Sequence, residues 1–251
     1  MKKYFYLLAF CSAALLTAQS PVLSTYNAAT GWNNTATTLQ ASEERQVGTF
    51  KAIGVSGPFE VTLTNGTPGT IRLEGSSNVR DKIETKVKEG ELIIKFKNYK
   101  IASRMNSKIR IEVPIQTSNS VKLSGSGRII SDFKIKTNTM YTALSGSGKI
   151  AISVTTENLK GKLSGSGKME LKGAAENTSL QLSGSGRITA SALESQEAEV
   201  KISGSGRIEV YAQEMLSSQI SGSGTLKYKS DNEKPRVFST VNGSGRVTRG
   251  M

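Results

Sequence analysis

The stretch that decides the fold is L-S-G-S-G-R at 123–128, because it recurs. LSGSGK stands at 144–149 and 163–168, LSGSGR at 182–187, ISGSGR at 202–207, ISGSGT at 220–225 and VNGSGR at 241–246. The offsets are 21, 19, 19, 20, 18 and 21 residues. A near-constant period of this length marks a stacked repeat, in which each unit buries its apolar side only against its neighbours. Within one copy Val121, Leu123, Gly125, Gly127 and Ile129 alternate with Ser124, Ser126 and Arg128. Taken as a strand, the first set shares the inward face and the second the outward face. The glycines have two readings. Either the wall is pinched and something packs against the backbone, or Gly-Ser-Gly is a corner where glycine supplies a positive φ.

A propeller blade needs about twice this length. A leucine-rich repeat would show its own leucine spacing and a helical segment. A transmembrane barrel needs aromatic girdles, and aromatic residues are only 6% of the chain. What remains is an all-β fold, a β-solenoid of the right-handed parallel β-helix kind with one coil per repeat. At about 3.3 Å per residue a coil has a perimeter on the order of 65 Å, and coils stack roughly 4.8 Å apart. The connections between coils are expected to be right-handed. Thr225 in place of a basic residue, and the polar insertion SDNEKPR at 230–236, mark atypical terminal coils.

Working outward, the chain divides into a signal peptide at 1–18, a polar leader at 19–44, a β-rich N-terminal block at 45–119 and the repeat solenoid at 120–251. Lys2 and Lys3, an apolar run from Tyr4 to Leu16 and small residues around Ala18 have the anatomy of a secretory signal. That places the protein outside the cytoplasm, in the periplasm, on the outer surface or free in the medium. In the N-terminal block, strands are expected around Phe59, Val61 and Leu63, at TIRLEG, on both sides of Glu89-Gly90 as a hairpin, and at 108–115. A single helical turn is expected near 78–83.

Composition excludes much chemistry. There is no His, the one Cys (Cys11) lies in the signal segment, and Asp occurs only at 81, 132 and 231. Histidine bases, thiolate nucleophiles, His or Cys metal sites and Asp-rich calcium cages are therefore not expected, nor is any cofactor. The formal charge is +13, which favours acidic partners. For an exported chain these are an anionic polysaccharide or another envelope component, rather than nucleic acid.

Three groups of residues are candidates for function. The first is the residue after each GSG: Arg128, Lys149, Lys168, Arg187, Arg207 and Arg246, with Thr225 interrupting. Stacking would align them in one outward row flanked by serine hydroxyls, a docking strip for acidic glycan. The bland alternative is charge that keeps a long β surface from aggregating. The second is the basic and aromatic segment at 95–110, with Lys97, Tyr99, Lys100 and Arg104, suited to stacking on sugars or simply to a solvated loop. The third is a pair of carboxylates, Glu170 and Glu209. They fall two coils apart, roughly 10 Å, slightly beyond the inverting glycosidase range.

The pattern F-x-x-I-x-V-x-G-x-F-x-V-x-L at 50–63, IRLEG at 71–75 and I-x-T-x-V-x-x-G-x-L-x-I at 83–94, followed by G-S-G-K/R-I coils, resembles the head GIN domain family of "putative autotransporter adhesins". The resemblance spans about residues 45–250. It implies a β-helix-like fold, a bacterial envelope or surface location and a role in adhesion, and it brings no catalytic motif. The expected function is thus that of an exported, non-enzymatic, adhesin-like binding protein that is not integral to the membrane and is open to self-association. A carbohydrate-active enzyme on a β-helix and a purely structural spacer are the alternatives.

Overall fold

A computed structural model describes residues 42–98 and 109–250. In chain order the N-terminal elements are β1 (Ser42–Gln46), β2 (Ala52–Ser56), β3 (Glu60–Asn65), β4 (Thr70–Glu74), the one-turn α1 (Ser77–Arg80), β5 (Ile83–Lys88), β6 (Glu91–Phe96) and β7 (Arg110–Ile115). The repeats supply β8 (Ser120–Gly125), β9 (Arg128–Lys136), β10 (Thr139–Gly146), β11 (Lys149–Gly165), β12 (Lys168–Gly184) and β13 (Arg187–Gly204). The last coils are β14 (Arg207–Tyr211), β15 (Met215–Gly222), β16 (Thr225–Lys229), β17 (Arg236–Asn242) and β18 (Arg246–Arg249).

The repeats stack in parallel, like on like. Leu123, Leu144, Leu163, Leu182, Ile202, Ile220 and Val241 are successive partners on the wall before the corner. Ile129, Ile150, Met169, Ile188, Ile208, Leu226 and Val247 do the same on the wall after it. All but the two terminal valines are buried in one continuous core. Each fully buried side chain of this size contributes about 1.5–3 kcal/mol. This is why a register that stacks like on like wins over any slipped one, since a one-residue slip would turn every apolar row to solvent.

The unequal repeat lengths are absorbed away from the corners. Ala151 pairs with Ile130 but Ser153 with Lys134, so the extra residues of that coil bulge out. A second irregularity lies between Glu170 and Lys172 opposite β13. The GSG register itself is never broken.

The parallel pairing also runs through the N-terminal block. β2 lies between β6 and β8, and β3 between β7 and β9, all parallel. Ser56 partners Ser124 and Glu60 partners Arg128. V-S-G-P-F-E at 55–60 is therefore a degenerate copy of the corner, with Phe59 where the later coils carry their second glycine. Phe59 is buried and packs on Phe96 with ring centroids 4.7 Å apart. Beyond β6 and β7 the pairing turns antiparallel. β5 and β6 form the hairpin expected at Glu89-Gly90, and β4 pairs antiparallel with both β1 and β7. Arg45 ties this end together, donating to the Ile83 and Arg80 carbonyls at 2.8 Å each.

Candidate functional site: the basic corner row

Both readings of the glycines hold, each for a different glycine. The first glycine of each GSG has positive φ, for example +112° at Gly184 and +114° at Gly204, so it turns the corner. The second, which lacks a positive φ, is buried in every copy but the last and has no room. A methyl group on Gly186 would stand 2.5 Å from Leu163 Cδ2 and 2.8 Å from the Gly167 carbonyl. The corners can stack this closely because Gly165 O receives the amides of both Ser185 (3.2 Å) and Gly186 (3.0 Å), and Gly167 O that of Arg187 (3.0 Å). The serine between the glycines is left exposed on the outside.

This geometry fixes the residue that follows. Arg128, Lys149, Lys168, Arg187 and Arg207 are consecutive ladder partners, followed by Thr225 and Arg246. The spacing is one coil, about 4.8 Å. None of them is buried. Lys149 pairs with Glu170 at 2.6 Å. Arg128, Lys168, Arg187, Arg207 and Arg246 make no ion pair among the described residues. Glu60, the partner of Arg128 in the preceding coil, bounds the row and lies 3.6 Å from Arg110. A shallow trough of about 230 Å³ runs over the corners between the serines and the cations, lined among others by Ser166, Lys168, Ser185, Arg187 and Arg207. It sets unpaired guanidinium and ammonium groups beside hydroxyls that can donate or accept.

Glu170, Thr189 and Glu209 are successive partners in the next outward row. The two carboxylates therefore stand two coils apart, roughly 10 Å, with Glu170 held by Lys149. Among the described residues no group of three or more His, Cys, Asp or Glu is placed to hold a metal ion. Lys97 is exposed, and its amide donates to the Lys82 carbonyl at 2.8 Å. Tyr99, Lys100 and Arg104 lie outside the described residues, as do the expected signal segment, with Cys11, and most of the polar leader. No helix among the described residues is long and apolar enough to cross a membrane.

A second feature escaped the sequence reading. A groove of about 790 Å³ runs along the outer face of the wall before the corner. Ser124, Ser145, Ser164, Ser183 and Ser203 form a hydroxyl row in it. Beside them, Lys122, Ala143, Lys162, Gln181, Lys201 and Gln219 are successive partners, so lysines recur every second coil. Lys122 is paired with Glu91 at 3.1 Å and Lys201 with Glu199 at 2.7 Å. The Lys201 hydrogen bond, with a smaller contribution from Ser179, lowers the Glu199 pKa. The signal was present in the sequence as the residue before each apolar-Ser-Gly-Ser-Gly, but it emerges only when copies are compared in alternation.

Solved structures with this fold include an adhesin described as putative from Bacteroides fragilis, 23% identical, with TM-score 0.76, covering 85% of this chain and 98% of that one. A protein from Parabacteroides distasonis described as a "putative lipid binding protein" is 25% identical with TM-score 0.68, covering 84% and 97%. A further adhesin so described, from Parabacteroides merdae, is 20% identical with TM-score 0.64, covering 84% and 96%. Among curated protein sequences none matches. The model of the family described as "Putative auto-transporter adhesin, head GIN domain" matches residues 49–231. With coils, corners and core all accounted for over that span, the chain belongs to the head GIN domain family of adhesin-like proteins.

Proposed function

We propose that this protein is an exported, non-enzymatic binding protein of the cell envelope or surface, and that it docks an acidic glycan lengthwise along the corner row. The observation that carries this reading is the consecutive stacking of Arg128, Lys149, Lys168, Arg187 and Arg207. Like charges one coil apart repel by about 1 kcal/mol or less per pair in water; Glu170 already offsets this at Lys149, and a linear polyanion along the rod relieves it at the unpaired cations. A pyranose unit in an extended chain is about as long as one coil spacing, so charge and track stay in step. The serines at the corners supply hydroxyl partners for sugar oxygens.

The test is binding of the full chain to acidic and neutral glycans at about 0.15 M salt, where the Debye length is roughly 8 Å. A variant carrying Lys149→Gln, Lys168→Gln, Arg187→Gln and Arg207→Gln runs beside it. Binding confined to acidic glycans and lost in the variant supports the strip. No binding, or equal binding by both proteins, leaves a structural spacer whose surface charge serves solubility.

The long serine-floored groove favours a second reading, in which the ligand is amphiphilic. The Parabacteroides distasonis relative is described as a lipid binding protein, again as putative. Co-sedimentation with anionic and zwitterionic vesicles separates this from glycan docking. Retention by vesicles without glycan binding supports the groove.

A further inference from the structure

The two ends of the stack are finished differently. The N-terminal end turns antiparallel and carries the charged strand β1, Ser-Glu-Glu-Arg-Gln. At the other end, among the described residues, β17 pairs only with β15, and β18 only with β16. Every residue of β17 is exposed. Val237, Phe238 and Val241 are the exposed large hydrophobic residues among those described, Phe238 at 59%. A long, apolar, unpaired edge strand is a template for another strand, and no described residue covers this one.

The orientation of β17 is fixed by its pairing. Val237, Ser239 and Val241 continue the inward rows of Leu216, Ser218 and Ile220. The Arg236 amide donates to the Glu214 carbonyl at 2.9 Å, back toward the body. Backbone groups alternate along a strand, so Val237, Ser239 and Val241 aim their N–H and C=O groups at the open edge.

We propose that β17 pairs antiparallel with β17 of a second copy, about a two-fold axis through Ser239, closing the solenoid tail to tail. Residues directly opposite in an antiparallel pair share a face, so inward residues must meet inward residues. The register centred on Ser239 pairs the whole of β17. It sets Val237 against Val241 on the core side, Phe238 against Thr240 and Arg236 against Asn242, and opposes no like charges. Ser239 meets its own copy and extends the hydroxyl pair it makes with Ser218 at 2.8 Å. The residues aimed at the open edge are the ones this register hydrogen-bonds. A shift by two residues sets a valine against Ser239 instead. Head-to-tail stacking is disfavoured because the wall that ends in β17 begins in β5, Ile-Glu-Thr-Lys-Val-Lys, a charged strand that runs antiparallel to its neighbour β6 and so does not continue the parallel stack. A symmetric contact closes at the dimer and leaves no growing edge.

Directly opposed, hydrogen-bonded residues have Cα atoms about 5.5 Å apart, inside the range of about 4.4–6.8 Å that a disulfide spans. Cys11 is the single cysteine, so the full chain carrying Cys11→Ser is a clean background. In it, Ser239→Cys is expected to give a covalent dimer on mild oxidation, and Thr240→Cys, which faces outward against Phe238, is not. Sedimentation velocity is expected to show a dimer for the full chain, and half that mass for Val241→Lys with an unchanged far-UV circular dichroism spectrum. A monomer at every soluble concentration, equal cross-linking at 239 and 240, or an open series of larger oligomers would overturn the proposal. Should Val241→Lys fail to fold, the cross-linking pair alone decides it.

Discussion

Replacing Gly186 with alanine adds one methyl group, and the structure says where it goes. It would stand 2.5 Å from Leu163 Cδ2, 2.8 Å from Gly167 O and 3.1 Å from Gly165 O. The leucine can rotate. The two carbonyls cannot, because each already accepts amides from the next corner. Relief therefore requires the coils to part locally, and overpacking of this kind costs about 1–3 kcal/mol. A fixed backbone puts Gly186→Ala near the upper end. Gly184→Ala meets a different obstacle. Its φ of +112° is hostile to a side chain, and its methyl would lie 2.7 Å from Gly165 O. Backbone strain alone costs on the order of 1–3 kcal/mol. Ser185→Ala, between them, is exposed and is expected to change stability by less than about 0.5 kcal/mol. At about 2–4 °C per kcal/mol for a chain this long, the two glycine variants should melt roughly 4–12 °C below the wild type and the serine variant with it. Thermal unfolding followed by far-UV circular dichroism reads all three. A Gly186→Ala protein that melts with the wild type would refute the claim that close approach of coils, rather than turn geometry alone, selects the second glycine.

Other outcomes follow from the packing and charges. Leu182→Ala, in the middle of the buried leucine row, is expected to cost about 2–5 kcal/mol, measured by urea unfolding. Phe59→Ala should cost about 3–5 kcal/mol, since Phe59 is buried and its ring packs on Phe96. Glu43 accepts from Arg45 at 2.6 Å and lies 3.5 Å from the buried Arg80. The Arg45 hydrogen bond leads in lowering its pKa from the ordinary 4.5. A carboxylate with a depressed folded pKa stabilises above its unfolded value and loses that contribution as pH falls through the folded one. Glu43→Gln should therefore lower the melting temperature at neutral pH and flatten its decline below about pH 4.5, followed by melts across an acid series.

The repeat was legible because a parallel stack translates sequence period directly into spatial register. Once Arg128 and Lys149 occupied equivalent positions, their stacking followed, and the pairing bears it out. The two glycine readings were not separable in sequence because alternation alone assigns Gly125 and Gly127 to one face. In the structure the positive φ at Gly125 swings it out while Gly127 stays buried. The first coil was hidden because Pro58-Phe59 replaces Ser-Gly, and Phe59 turns its ring into the core against Phe96. The lysine row at 122, 162 and 201 was missed for another reason. Its period is two coils, and it is held partly by Glu91, which comes from outside the repeats. The unequal offsets were legible only as irregularity, because a bulge is decided by which local residues can leave the wall.

The proposed docking track carries one cation per coil from Arg128 to Arg207, Lys149 being paired with Glu170, and an oligosaccharide length series tests it most directly. Linear uronic-acid oligomers of increasing length, titrated calorimetrically into the full chain at constant salt, should bind more tightly with each added unit until the chain spans Arg128 to Arg207. The gain should then level off where Thr225 interrupts the row. An affinity independent of length, or no binding by the longest oligomer, would contradict it.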